Sequence, residues 1–324
     1  MIVKSRSIPL KLLSLKAILR RLPQRHEKYQ AILEECKRRE AGYQGEVSLD
    51  YYYRFLPPQK YRILHDLNLP DNNYNCQIDT LLATPEFFQI VDVKNMAGKL
   101  VFDTDNQQFI QINNDTEKGY ADPIAQAKRH KEYIRKFLTT NGFPAVPIDY
   151  IVVISNPYTT YVITGPHARQ VKPRICKADA FLTKMQVIEK IYPTPILNDK
   201  NLQKICRRLV KINTPPTNVL LSKYGISHGE LLSGVHCPNC QQLAMIRKRQ
   251  KWYCPHCNHF SVDAHLDALL DYFLLYEMEI TNKQFRRFTH IQSIHTAKRL
   301  LMSEKLAFSG TKKARVYFPK KFPW

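Results

Sequence analysis

The sequence predicts an α/β core followed by a small zinc ribbon and a C-terminal helical domain. Three observations lead there: helical and strand-like patterns alternate through the first two thirds of the chain, four cysteines fall in two close pairs, and short amphipathic helices follow them. With 324 residues, 44% of them hydrophobic and 11% aromatic, the chain can bury a sizeable core, and its length suits two or three domains. That composition argues against global disorder. Lys11 and Lys16 interrupt the apolar stretch from Ile8 to Leu19, and no run approaches the roughly 18 residues of a membrane span. The expectation is an unexported, cytoplasmic protein without membrane contact.

The first 40 residues read as two helices. Leu12, Leu13, Leu15, Ile18 and Leu19 supply the apolar positions of one, Pro23 ends it, and a second runs from Glu27 to about Glu40. After a helix around Gly45 to Phe55 the pattern turns β-rich. Strands are expected at Tyr61 to Leu67, Gln77 to Ala83, Phe87 to Asn95, Lys99 to Asp103 and Phe109 to Asn113. Pro123 to Leu138 is a strong helix pattern, with proline in its first turn behind Asp122 as cap, and Val146 to Ser155 is another apolar strand. Lys200 to Leu209 reads as one more helix, and Thr214-Pro215-Pro216-Thr217 as a linker. The division is a basic helical extension (1–40), an α/β body (41–212), a linker (213–233), a ribbon (234–262) and a tail (263–324).

The charge is +21, from 49 Lys and Arg against 28 Asp and Glu, and it points to an anionic polymer as partner. Residues 1–40 hold 11 basic and 4 acidic side chains and residues 221–324 hold 16 and 7, so the excess sits mainly at the two ends. A nearly balanced body would then be flanked by pieces that touch phosphate. Cys36, Cys76, Cys176 and Cys206 are scattered, whereas Cys237, Cys240, Cys254 and Cys257 form two C-x-x-C pairs with 13 residues between them. That is the ligand spacing of a structural zinc ribbon, in which each pair closes a tight turn whose two thiolates reach one tetrahedral ion.

Asp79 and Asp92 lie 13 positions apart around Thr84 to Phe87. A hairpin centred between Pro85 and Glu86 sets them opposite one another, with Lys94 on the same face. Two carboxylates facing across adjacent strands repel unless a cation or proton sits between them, and a hard divalent ion, Mg²⁺ or Mn²⁺, supplies that cation. Lys94 could then orient a water or stabilise charge developing on phosphorus.

At these residues the chain resembles the PD-(D/E)XK nucleases, and more closely the nuclease-related domain (NERD) family. The resemblance rests on Gly45-Glu46, His65-Asp66-Leu67, Gln77-Ile78-Asp79, Asp92-Val93-Lys94-Asn95 with Gly98, and Gln126, and spans roughly 41 to 212. It implies a restriction-endonuclease-like core, metal ligation by Asp79 and Asp92, a water-organising Lys94 and an accessory acidic role for Glu46. Gln126 with His130, one helical turn on, is similar to the Gln-x-x-x-Tyr element of RecB-like nucleases, with His where Tyr is usual; Asp92 likewise replaces the commoner Glu.

Past the cysteines, Ala264 to Tyr276, a helix capped by Thr281 and Gln284, and Ser293 to Ser303 precede a basic strand from Lys312 to Tyr317. Three short helices and a basic strand resemble a winged-helix domain, which by analogy makes Lys298, Arg299, Lys312, Lys313 and Arg315 phosphate or groove contacts. Between the cysteine pairs, Arg247, Lys248, Arg249, Lys251 and Trp252 either serve phosphate contact and base stacking or form a solvated loop with Trp252 in a small core. The leading expectation is a metal-dependent nuclease acting on nucleic acid, DNA before RNA. The alternative is a nucleic-acid-binding or regulatory protein that keeps the nuclease fold without catalysis. No phosphate-loop motif, H-E-x-x-H or G-x-S-x-G supports another enzyme class.

Overall fold

Hydrophobic periodicity becomes sixteen strands and eleven α-helices in the computed structural model, which describes residues 1–71, 74–214, 220–243, 245–304, 306–311 and 314–320. In chain order they begin β1 (Ile2–Lys4), α1 (Leu10–Arg21), α2 (Tyr29–Ser48), α3 (Asp50–Tyr53), β2 (Arg62–Asp71), β3 (Tyr74–Ala83) and β4 (Phe88–Lys94). There follow β5 (Lys99–Asp103), β6 (Gln108–Asn113), β7 (Thr116–Tyr120), α4 (Pro123–Thr140), β8 (Ile148–Ile154), β9 (Thr160–Thr164), α5 (Ala168–Val171), β10 (Ile175–Lys177), α6 (Phe181–Ile191) and α7 (Asp199–Ile212). The remainder is α8 (Leu220–Tyr224), β11 (Ile246–Lys248), β12 (Lys251–Tyr253), β13 (Phe260–Ser261), α9 (His265–Leu275), β14 (Ile280–Thr281), α10 (Asn282–Thr289), α11 (Ile294–Ser303), β15 (Leu306–Ser309) and β16 (Val316–Pro319). Two compact units result, one of Met1–Ile8 with Arg38–Pro216 and the other of Pro9–Lys37 with Thr217–Trp324.

The first unit is mixed α/β and consistent with a nuclease-like core. Its main sheet has the order β1-β2-β3-β4-β8-β10, with β2, β3 and β4 antiparallel and β8 parallel to β4. A parallel neighbour needs a crossover, and α4 lies in that connection. Asp122 caps α4, accepting from the Ile124 and Ala125 amides at 2.9 and 3.2 Å, with Pro123 where a missing amide costs nothing. Alternate strand residues feed two cores: Ile78, Ile90 and Val152 pack with Ala127 and Ile134 of α4 and Ile205 of α7, while Leu82, Val91 and Ile151 pack with Phe181 and Met185 of α6. Covered on both faces, β4 is buried almost throughout, which makes a carboxylate at Asp92 conspicuous.

Several elements differ from expectation. Met1–Ile8 do not belong to a helical extension: β1 pairs with β2, with Ile2 opposite Ile63 and Lys4 opposite Leu64. The expected second helix does not stop near Glu40 but continues to Ser48 as α2, because a helix interior tolerates Gly42 and Gly45 where packing favours it. β7 and β9, in a second sheet of order β7-β6-β5-β9, are too exposed to show an apolar pattern.

In the second unit, β11, β12 and β13 form a small antiparallel sheet and β14-β16-β15 another. The ribbon and tail, divided at residue 262 by sequence, share one core in which Val235, Cys237 and Trp252 pack with Leu269, Phe285 and Leu301. α1 joins them: Arg21 is fully buried, donates from Nε to Asp271 at 2.8 Å and lies over the Phe288 ring at 4.3 Å, while Arg20 pairs with the other Asp271 oxygen. Part of the N-terminal positive charge is therefore internal rather than free for phosphate. Lys312, Lys313 and the linker residues Pro215, Pro216 and Thr217 lie outside the described residues. Among the described residues no helix is long and apolar enough to cross a membrane.

Candidate active site and metal centres

The hairpin turn is Thr84 to Phe87, closed by the Thr84 amide on the Phe87 carbonyl at 3.0 Å. Its ladder runs from Ala83 opposite Phe88 to Thr80 opposite Val91. One rung further the register brings Asp79 level with Asp92, and there the ladder gives way to a side chain: the Asp79 carboxylate accepts the Val93 amide at 2.9 Å. On the other side, β2 pairs with β3 from Arg62 opposite Ala83 to His65 opposite Thr80, then resumes at Leu67 opposite Ile78. The residue skipped, level with Asp79, is Asp66, whose φ of 51° breaks the ladder locally. The His65 and Asp66 carbonyls accept instead from Lys4 Nζ at 2.8 and 2.9 Å. Three aspartates on adjacent strands thus share one level.

α2 brings a fourth carboxylate. A Cβ on Gly45 would stand 2.4 Å from Asn95 Cβ and 2.8 Å from Ser155 Oγ, so only glycine lets the helix lie against the ends of β4 and β8. Glu46 follows directly, and its Oε2 accepts from Arg6 Nη1 at 2.7 Å. Arg6, only 5% exposed, also donates from Nη2 to Asp50 Oδ1 at 3.1 Å and approaches Asp66 Oδ1 at 3.6 Å. Sequence reasoning missed Arg6 and Lys4 altogether, and quoted Asp66 without giving it a role.

Lys94 Nζ stands 2.8 Å from Asp92 Oδ2. Asp92, only 3% exposed, therefore has the Lys94 ammonium as the counter-charge of its Oδ2. The electrostatics follow from burial and crowding. Burial first, then the Asp92 charge, push Asp79 up to about 6. Burial raises Asp92 against the pull of Lys94. Burial and Asp79 raise Glu46 to about 8 despite Arg6. Burial alone would lower the Lys94 ammonium, but Asp92 and Asp79 outweigh it and hold it above the usual range. Acidic groups crowded together in this way favour a cation, and the all-oxygen donor set of Asp79 and Asp92 fits a hard divalent ion.

Of the expected α4 pair, His130 is buried, held neutral by burial at about 4, and feels the charges of Asp79 and Lys94; its Nδ1 has no hydrogen-bond partner. Gln126 is half-buried, and among the described residues its side chain makes no hydrogen bond to these groups.

The four ribbon thiols converge. Their Sγ atoms all lie within 4.8 Å of one another, with Cys237 to Cys257 at 3.6 Å and Cys240 to Cys254 at 3.7 Å. A tetrahedral ion with Zn–S bonds of ~2.3 Å has sulfur edges of ~3.8 Å, so the cluster fits zinc. Each knuckle is built alike: the amides of Gln241 and Asn258 return to the Cys237 and Cys254 carbonyls at 2.9 Å, with φ of 60° and 59°. Trp252 does not project from this finger; it is 1% exposed and donates to His265 Nδ1 at 3.2 Å, because its indole completes the shared core. Arg247 lies over the Trp252 ring at 5.4 Å, while Lys248, Arg249, Lys298 and Arg299 are exposed. Arg315 is half-buried over Phe308 at 4.5 Å.

Paired acids with a lysine at the end of a strand, inside a helix–three-strand–helix–strand core, are consistent with a nuclease-like core. Residues 41–155 match the family model of the nuclease-related domain, so the chain carries a nuclease-related domain, from the segment ahead of Glu46 to the end of β8. No curated protein and no solved structure matches the chain.

Proposed function

We propose that the chain is a metal-dependent nuclease hydrolysing phosphodiester bonds in DNA, with its C-terminal unit as the docking module. The observation that carries this reading is the Asp79 and Asp92 pair, level on adjacent strands and with Lys94 2.8 Å from Asp92 Oδ2, in the matched domain. Asp79 and Asp92 would hold a divalent ion, Mg²⁺ or Mn²⁺, which when bound would supply charge neutralisation at phosphate and lower the pKa of water. Lys94, tethered to Asp92, holds positive charge where negative charge grows on the phosphoryl oxygens and orients the attacking water. His130, neutral and close to Asp79, has a free ring nitrogen to hold substrate or water, and Gln126 would meet substrate from the same face of α4. Glu46 bounds the pocket on the helix side.

Four thiolates saturate zinc and leave no open position, so the cysteine site is structural. The tail order α9, β14, α10, α11, β15, β16 with a β14-β16-β15 sheet supports the winged-helix reading. In that reading α11 enters the major groove with Lys298 and Arg299, while Lys312, Lys313 and Arg315 of the wing reach phosphate. Arg299 is near enough to Arg247 to help lower its pKa after burial, so ribbon and helix present their charge together. With Lys248 and Arg249 they form the proposed backbone contacts.

The test is incubation with single- and double-stranded DNA and RNA, with Mg²⁺ or chelator, beside Asp79→Asn. Mg²⁺-dependent cleavage of DNA, lost in the variant, is expected. Cleavage that persists in Asp79→Asn rejects the site, RNA-only cleavage rejects the substrate, and tight binding without cleavage favours a nucleic-acid-binding protein that has kept the fold.

A further inference from the structure

The five acidic groups of the site divide into two sets. Glu46, Asp50 and Asp66 face Arg6 at 2.7, 3.1 and 3.6 Å, whereas no ion pair joins Asp79 or Asp92 to it. We infer that the centre takes one divalent cation, between Asp79 and Asp92, and that the Arg6 guanidinium fills the place a second ion would take beside Glu46 and Asp66. This rests on the metal reading of Asp79 and Asp92 given above.

Arg6 is fixed as a structural group would be. β1 pairs with β2, and Lys4 pins the backbone at residues 65 and 66. Its Nη2 additionally donates to His65 Nδ1 at 3.0 Å and to Thr80 Oγ1 at 3.3 Å. Arginine is a donor only, so His65 Nδ1 must accept and the ring is the neutral Nε2–H tautomer. The guanidinium is thus held from five sides at 5% exposure. It keeps its charge at any working pH and matches carboxylates in a planar fork. A divalent ion beside Glu46 and Asp66 would have to displace it or sit against it, and either is repulsive at this separation. Asp79 and Asp92 lie on the side without Arg6, where the cation beside them is Lys94, its Nζ 2.8 Å from Asp92 Oδ2. Glu46 is then a positioning residue that anchors Arg6 rather than a ligand.

The experiment counts Mn²⁺ by calorimetric titration and electron paramagnetic resonance on the full zinc-loaded chain. The wild type is expected to bind a single Mn²⁺ at this centre. Asp79→Asn and Asp92→Asn should weaken it at least about tenfold, the scale seen when metal-site partners are lost, while Glu46→Gln stays within about threefold. Arg6→Met should admit a second ion, and Arg6→Lys, which keeps the charge, should not. Two ions in the wild type, or Glu46→Gln as damaging as Asp79→Asn, overturns the inference while leaving the metal site itself intact. No ion in the wild type instead removes the reading of Asp79 and Asp92 on which it stands. Should Arg6→Met fail to fold, the wild-type count and the Glu46→Gln affinity still decide.

Discussion

The cysteine cluster, which fits zinc, and the carboxylate cluster, proposed above to hold a divalent ion, are built on opposite plans. The thiols come from one stretch, Cys237 to Cys257, and two similar knuckles close around a point with four sulfurs and no vacancy. The carboxylates come from α2, β2, β3 and β4, with Arg6 paired to Glu46 and Lys94 to Asp92, and in the metal reading proposed above they leave coordination positions open. A saturated site can only stabilise, whereas an unsaturated one pays in stability for the capacity to bind.

Removing the ribbon metal gives the largest expected effect. Cys237 and Cys254 share the core of Trp252 and Phe285, and structural zinc contributes on the order of 10 kcal/mol to folding such modules. Cys254→Ser or chelation is expected to abolish cooperative melting of the second unit, followed through Trp252 fluorescence and zinc content. A zinc-free protein that melts unchanged would break the contrast at its closed end.

At the open end, Gly45→Val would place its Cβ 2.4 Å from Asn95 Cβ, which should shift α2 and cost about 1–3 kcal/mol, as overpacking does. Mn²⁺ affinity should fall with it, measured by titration beside urea melts. Unchanged affinity with reduced stability would uncouple α2 from the centre.

The pH dependence sharpens the contrast further. Asp79 is raised from 3.8 to about 6, so between those values the folded state holds a proton that the unfolded chain has released. Its contribution to stability is therefore present below about pH 4 and lost as pH rises through about 6, and Glu46, raised to about 8, extends the loss upward. A divalent ion replaces the missing positive charge, so the gain in Tm from Mn²⁺ should be larger at about pH 7 than at about pH 5. Equal gains at both would mean that Asp79 is not in contact with the ion.

The smallest effect belongs to the exposed charges. Lys298→Ala and Arg299→Ala should each lower the salt slope of DNA binding by about 1, with little change in sequence preference. An unchanged slope would remove α11 from the interface.

How much of this was legible follows from the range of the interactions. The Asp79 and Asp92 level could be read by counting back from the Thr84 to Phe87 turn, since strand registry has a period of two and a turn sets the origin. The cysteine knuckles and the Asp122-Pro123 helix start are equally local signals. Arg6 and Lys4 were invisible because a three-residue strand has no pattern of its own and meets its partner some 60 positions on. Asp66 sits inside a stretch that reads as one strand, and nothing in it announces a left-handed residue. The charge of residues 1–40 misled for a related reason: composition counts Arg6 and Arg21 as available, while burial commits them to Glu46 and Asp271. Trp252 was open between surface and core until His265 and Phe285 closed around it.

The central claim is that a divalent cation belongs between Asp79 and Asp92. Anomalous diffraction from a Mn²⁺-soaked crystal tests it most directly. The account predicts one peak at about 2.1 Å from a carboxylate oxygen of each aspartate, the distance range of small hard cations. No peak there, or a peak held by Glu46 and Asp66 instead, would contradict it.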